Sequence, residues 1–249
     1  PANKHYIPAL DGLRTFALAL VVLNHLSFRI APGGNIGVDV FFVLSGFLIT
    51  SVLLREYQSS NHISLSAFYM RRALRLMPAL ILMVASEYAI GTIFGSPDSH
   101  LAGSALFAVS YLMDFVRAFS SYSELSAVGH TWSLAVEEHF YLIWPLLIAP
   151  LMNMLPRRRA LIILLGVTFL VVWRTYWVFS GASYNRIYYP VDMRSDQLLI
   201  GCAVATWLSF GPAARFSVGL ARLWPIALIV LIAITIIGNG ESKLYVALM

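Results

Sequence analysis

Charge is what this chain has least of. Of its 249 residues only 12% are Asp, Glu, Lys or Arg, and 59% are hydrophobic. Soluble domains carry about 25% charged residues. A single cysteine, Cys202, excludes an intramolecular disulfide framework. No Cys/His cluster has zinc-type spacing, and no metal is expected. No linker rich in Pro, Gly or Ser divides the chain, and it holds no internal repeat or low-complexity tract. One domain over 1–249 is therefore expected. What is present is apolar length: mean hydropathy is +0.76, and the apolar runs extend for roughly 17–23 residues, the reach of a bilayer-spanning helix. Continuous runs exclude the alternating pattern of a barrel. The net charge of +5 lies largely in arginines beside these runs. It reads as topology signal and contact with membrane lipids, not as nucleic-acid binding. The first run carries Arg14 and His25, which does not fit a cleavable signal peptide.

The expected fold is all-α, a polytopic transmembrane helical bundle. Candidate spans are 10–29, 36–54, 76–95, 100–117, 133–155, 160–180, 196–211 and 223–240. Basic residues mark three loops: Arg55, Arg71, Arg72 and Arg75 between spans two and three, Arg157, Arg158 and Arg159 after span five, and Arg215 and Arg222 between spans seven and eight. Placing these in the cytoplasm puts the N-terminus with Lys4 there, and 30–35, 181–195 and 241–243 outside. Three candidate spans then separate two loops on one side, which is one too many. The weakest is 100–117, short and interrupted by Ser104, Ser110 and Asp114. It is expected to be a partial or re-entrant segment, with 118–132 on the outer side.

Arg14 and His25 sit within the first span, with ten residues between them. A charge at bilayer depth costs several kcal/mol and is rarely there without a partner or a task. Eleven steps bring the two side chains to one helix face, roughly 16 Å apart along the axis. They cannot touch, but they can address two ends of one long ligand. His25 suits a general base on a hydroxyl; it equally suits a helix-end hydrogen bond to a carbonyl. Asp39 opens the second span, where it either orients His25 or favours the helix dipole. Arg72 and Arg75, three apart, form with Arg14 either a phosphate pocket or a topology and headgroup signal.

In Trp132-Ser-Leu-Ala-Val-Glu137-Glu138-His139-Phe-Tyr141, Glu137 and Tyr141 share a helix face, with Trp144 continuing it. An acid at that depth should meet a cavity or a cation. Arg194 and Asp196 precede the seventh span. They pair, cap that helix or line the same cavity.

The order Asp11-Gly-Leu-Arg14, His25, Gly37-Val-Asp39-Val-Phe-Phe-Val-Leu-Ser-Gly46, Arg72-x-x-Arg75, Trp132-Ser-Leu-Ala-Val-Glu137 and Arg194-Ser-Asp196 resembles the acyltransferase-3 family. The resemblance covers about residues 6–201 and rests on these motifs in sequence, since each alone is weak. It implies a domain of roughly ten spans. Seven or eight are visible here, so the domain is expected to be incomplete at its C-terminus. It also implies a cytoplasmic acyl-CoA donor, commonly acetyl-CoA, and a carbohydrate or lipid-linked glycan acceptor such as O-antigen or exopolysaccharide, in a bacterial inner membrane. By position, Arg14, Arg72 and Arg75 then fall to donor binding and His25, Asp39 and Glu137 to catalysis. Arg194, Asp196, Trp132 and Tyr141 fall to substrate binding or support. His139 stands where the family frequently has Gln. The competing class is a transporter of an acylated lipid or sugar without chemistry of its own, since intramembrane Arg, His and Glu also mark ion paths.

Overall fold

The computed structural model describes residues 8–26, 31–94, 101–119, 127–209 and 224–238. Lys4, Arg215, Arg222 and the apolar segment Leu244–Met249 lie outside them. Every regular element among the described residues is helical. They are α1 (Pro8–Leu26), α2 (Ile36–Ser60), α3 (Leu65–Ile93), α4 (Leu101–Val109), α5 (Met113–Phe119), a 3-10 turn (Ala127–Thr131), α6 (Trp132–Ile148), a second 3-10 turn (Ala149–Asn153), α7 (Pro156–Phe179), α8 (Tyr184–Tyr188), α9 (Val191–Leu208) and α10 (Trp224–Ile237). Five segments are long and apolar enough to cross a membrane: 9–26, 36–60, 65–93, 128–153 and 156–179.

The chain punctuates itself with backbone stops. α7 opens with Pro156 in its first turn, where a missing N–H costs nothing. It closes on Gly181 at φ +80. Gly181 donates to the Val178 carbonyl and Ala182 to that of Trp177, the paired bonds of a Schellman stop. α4 ends by the same bonds, Tyr111 to Ala108 and Leu112 to Phe107. Here a tyrosine, not a glycine, takes the left-handed position at φ 57. The candidate span 100–117 is therefore two short helices with a turn between them.

Side-chain bonds fix the directions. Ser45 meets Glu137, Thr50 meets Trp144, and Tyr57 meets Asn153, so α2 and α6 run parallel. One full crossing, α3, returns the chain between them, and α4 with α5 does not cross. Two crossings, α3 and α6, therefore separate the two arginine-rich segments that the sequence places on one side.

α2 and α9 form the centre. A Cβ on Gly46 would collide with the Leu198 carbonyl, and one on Gly201 with the Val43 carbonyl. Only hydrogen at both positions lets the two backbones touch, as small residues do in membrane bundles. α1 and α6 flank α2, and α7 covers α9. The outer faces of α3 and α7 carry exposed Ile81, Leu82, Leu165 and Phe169, the surface a lipid-facing helix presents.

α3 starts at Leu65, well before the expected 76, because Arg71, Arg72 and Arg75 are helical and not in a loop. α9 is missing from the spanning set because Asp192, Arg194 and Asp196 occupy its first two turns, yet it is the most enclosed helix.

Candidate active site

A cavity of ≈ 400 Å³ opens where α1 finishes and α2, α6 and α9 begin. Ligand pockets measure about 300–1,000 Å³. Val21, Asn24 and His25 line it from α1, Asn35 and Val38 from the start of α2, and Arg117 from α5. His130, Trp132 and Ser133 come from the entry to α6, and Tyr184, Tyr188 and Tyr189 from α8 and its exit. One wall is thus aromatic and the other polar. Trp132 packs on Tyr188 and Tyr189 with ring centroids 5.1 Å away in each case. Burial pushes the Tyr188 hydroxyl well above the ordinary tyrosine range, so it stays a hydrogen-bond donor.

His25 Nδ1 lies 2.8 Å from the Val21 carbonyl oxygen. A carbonyl only accepts, so Nδ1 donates its hydrogen there. The neutral ring then keeps its lone pair on Nε2. The helix-end reading of His25 holds, since it bonds a carbonyl of its own helix, and that bond leaves Nε2 as the acceptor of the neutral ring. Asn24 donates to the Ala31 carbonyl at 2.7 Å, tying the end of α1 to the turn before α2.

A second cavity, ≈ 250 Å³, adjoins the first and shares Val21, Val38 and Ser133 with it. Phe41, Phe42 and Leu134 make it apolar, and Glu137 supplies its acid. Glu137 accepts from Ser45 at 2.8 Å and from Tyr141 at 3.1 Å. The Glu137–Tyr141 pair follows the expected i,i+4 spacing. Trp144, on the same face, donates to Thr50 at 2.9 Å.

Several expected pairings are not made. Asp39 does not approach His25 as a partner; its Oδ1 is 2.8 Å from Arg194 Nη1. Arg194 also donates through Nε to the Tyr188 carbonyl at 2.7 Å, and its guanidinium faces the Tyr188 ring at 4.2 Å. This pair is fully enclosed and backs the aromatic wall. Asp196 does not pair with Arg194 but with Arg174 of α7, at 2.8 Å. Opposite charges so deep are tolerated only in such pairs.

Arg14, Arg72 and Arg75 share no partner. Arg14 sits near the start of α1, 3.4 Å from Asp11. Arg72 turns inward, 3.4 Å from Glu138 and stacked 3.4 Å above the Tyr141 ring. Arg75, one turn on, is exposed and pairs with no acid among the described residues. Sequence spacing alone does not separate them, because the partner helix lies 66 residues away.

The sequence reading missed Arg117, Arg174, Ser45 and the tyrosines 184, 188 and 189. The crowding of tyrosine before α9 was the one visible signal. His139, where the family frequently has Gln, holds the buried Asp114 at 3.2 Å.

No solved structure matches the chain. The peptidoglycan O-acetyltransferase of Listeria monocytogenes is 38% identical over 82% of the chain and 34% of its own length. A Bacillus subtilis protein, provisionally named for the same activity, is 39% identical over 82% of the chain and 33% of its own length. A Staphylococcus aureus protein, provisionally named an O-acetyltransferase, is 33% identical over 97% of the chain and 42% of its own length. The chain thus spans less than half the length of these curated relatives. A family model described as an acyltransferase domain matches residues 7–248. With that match over nearly its whole length, the chain belongs to the acyltransferase-3 family.

Proposed function

We propose that this membrane domain transfers an acyl group, acetyl in the first instance, from acyl-CoA to a hydroxyl of a cell-wall glycan. The observation that carries the reading is the bond of His25 Nδ1 to the Val21 carbonyl, which leaves Nε2 to accept on a side chain lining a cavity with an aromatic wall. The acceptor hydroxyl gives its proton to Nε2 as its oxygen bonds to the thioester carbonyl carbon. The carbon–sulfur bond then breaks, and the leaving thiolate recovers a proton from the imidazolium. The aromatic wall suits the apolar face of a sugar ring. The relatives' names favour a peptidoglycan acceptor over O-antigen.

The donor is assigned to the opposite end. Arg55, Arg157 and Arg158 lie there, with Arg14 at the start of α1. A cavity of ≈ 360 Å³ at that end is lined by Leu10, Ser51, Arg55 and Gln58 among others. Guanidinium groups suit phosphate, and the arginine-rich end is the cytoplasmic one by the positive-inside rule. The acyl arm would then run along α1 toward the cavity that holds Glu137. Arg72, engaged by Glu138, acts in this reading on Tyr141 and Glu137 rather than on phosphate.

The test is donor consumption by the full-length protein purified in detergent. Thioester cleavage with acetyl appearing on a glycan acceptor supports transfer. Glycan or lipid movement in proteoliposomes with the thioester intact would support the transporter class instead.

A further inference from the structure

Three arginines of α7, α8 and α9 are paired with acids: Arg194 with Asp39, Arg174 with Asp196, and Arg186 with Asp192. Arg117 differs. It lines the His25 cavity from α5, and among the described residues no carboxylate pairs with it. Its Nη1 donates to the Gly129 carbonyl at 3.0 Å, and its guanidinium lies 4.5 Å from the centre of the Tyr189 ring. These two contacts fix the plane of the fork. Its Nε is buried and meets no acceptor.

We propose that Arg117 is a specificity residue that receives a carbonyl-type oxygen, carboxylate or amide, on the sugar seated against Tyr188 and Tyr189. With Nη1 held by Gly129 and Nε enclosed without an acceptor, the Nε–Nη2 edge is the one a ligand's oxygen would fill. That edge presents two parallel N–H donors, which the two oxygens of a carboxylate match and an amide oxygen accepts in the plane of its carbonyl, whereas a hydroxyl oxygen accepts less strongly and gains less from the fork. A cation already paired inside the protein offers no such preference. The inference rests on the acyl-transfer reading only in taking the bound sugar to be the acceptor.

Binding separates the two ideas. Trp132 is in the cavity wall, so tryptophan fluorescence of the full-length protein in detergent reports occupancy. The probes are a trisaccharide of N-acetylated amino sugars, a uronic acid trisaccharide and a neutral glucose trisaccharide. The wild type should bind the first, the second or both about tenfold or more tighter than the third, since one bond to a charged group is worth at least that. Which of the two leads tells amide from carboxylate. Arg117→Gln should erase the preference, and Arg117→Lys, which keeps the charge but not the fork, should recover it only partly. Equal binding of all three by the wild type overturns the proposal. So does a preference that survives in Arg117→Gln of unchanged melting temperature. Should Arg117→Gln misfold, Arg117→Lys decides alone: full wild-type preference in it overturns the fork. Selective binding without acetyl transfer leaves the Arg117 site standing and sinks the acyl-transfer reading. A fall in kcat equal for all acceptors, with unchanged affinities, would make Arg117 a stabiliser of the reaction's oxyanion instead.

Discussion

α7 and α9 lie side by side and invert the pattern of a water-soluble protein. α7 turns Leu165, Phe169 and Val172 outward, each at least 60% exposed. α9 carries Asp192, Arg194 and Asp196, and buries the last two. Hydrocarbon outside removes any reason to hide apolar side chains, so what is enclosed is polarity. The interior charges are then held by specific partners, while the apolar surface is held by nothing in particular. The centre of this bundle should be intolerant of change and its outer face permissive.

The sharpest break of that contrast is Asp39→Asn, which strands Arg194 beside Tyr188 and Trp132. Removing one partner of a buried pair costs about 3–5 kcal/mol, read as a large drop in the melting temperature of the detergent-purified protein. Asp39→Leu with Arg194→Met should recover part of that loss, because an apolar pair of similar volume leaves no stranded charge. A milder Asp39→Asn loss would mean that the pair is hydrated.

Next comes Gly201→Val, which drives a side chain into the Val43 carbonyl. Overpacking of this kind costs about 1–3 kcal/mol, and the same melting measurement checks it. Arg72→Ala should cost less, about 1 kcal/mol, since it removes a ring stack and a long ion pair. Arg75→Ala, one turn away and exposed, should leave the melting temperature alone. If both arginines serve the donor, the two variants will weaken donor binding equally; the inward turn of Arg72 predicts that they will not. Smallest is Phe169→Leu on the outer face of α7, expected within about 0.5 kcal/mol of the wild type.

Much of this was legible from residue order, for reasons that differ by element. Helices, spans and the Glu137–Tyr141 pair are local, set by apolar length and i,i+4 spacing. Ser104, Ser110 and Asp114 mark 100–117 as a partial segment, and the structure breaks it at 110–112. No Gly or Pro marks that break, because Tyr111 takes a conformation that sequence rules reserve for glycine. The partners of the buried charges were not legible. Asp39 and Arg194 are 155 positions apart, and nothing in either neighbourhood says that Asp39 prefers Arg194 to the much nearer His25. Arg174 sits in an apolar run with no acid near it in sequence, because its partner, Asp196, lies on another helix. Arg72 and Arg75 look equivalent until α6 arrives beside one of them.

The central claim is that His25, with Nδ1 committed to the Val21 carbonyl, acts through Nε2. The most direct measurement is acetyl transfer from acetyl-CoA to a cell-wall glycan by the full-length His25→Ala variant, beside its melting temperature. The account predicts a rate lower by about 10²–10⁴-fold, the usual worth of a positioned general base, with an unchanged melting temperature. A variant that folds like the wild type and still transfers acetyl at the wild-type rate would contradict it.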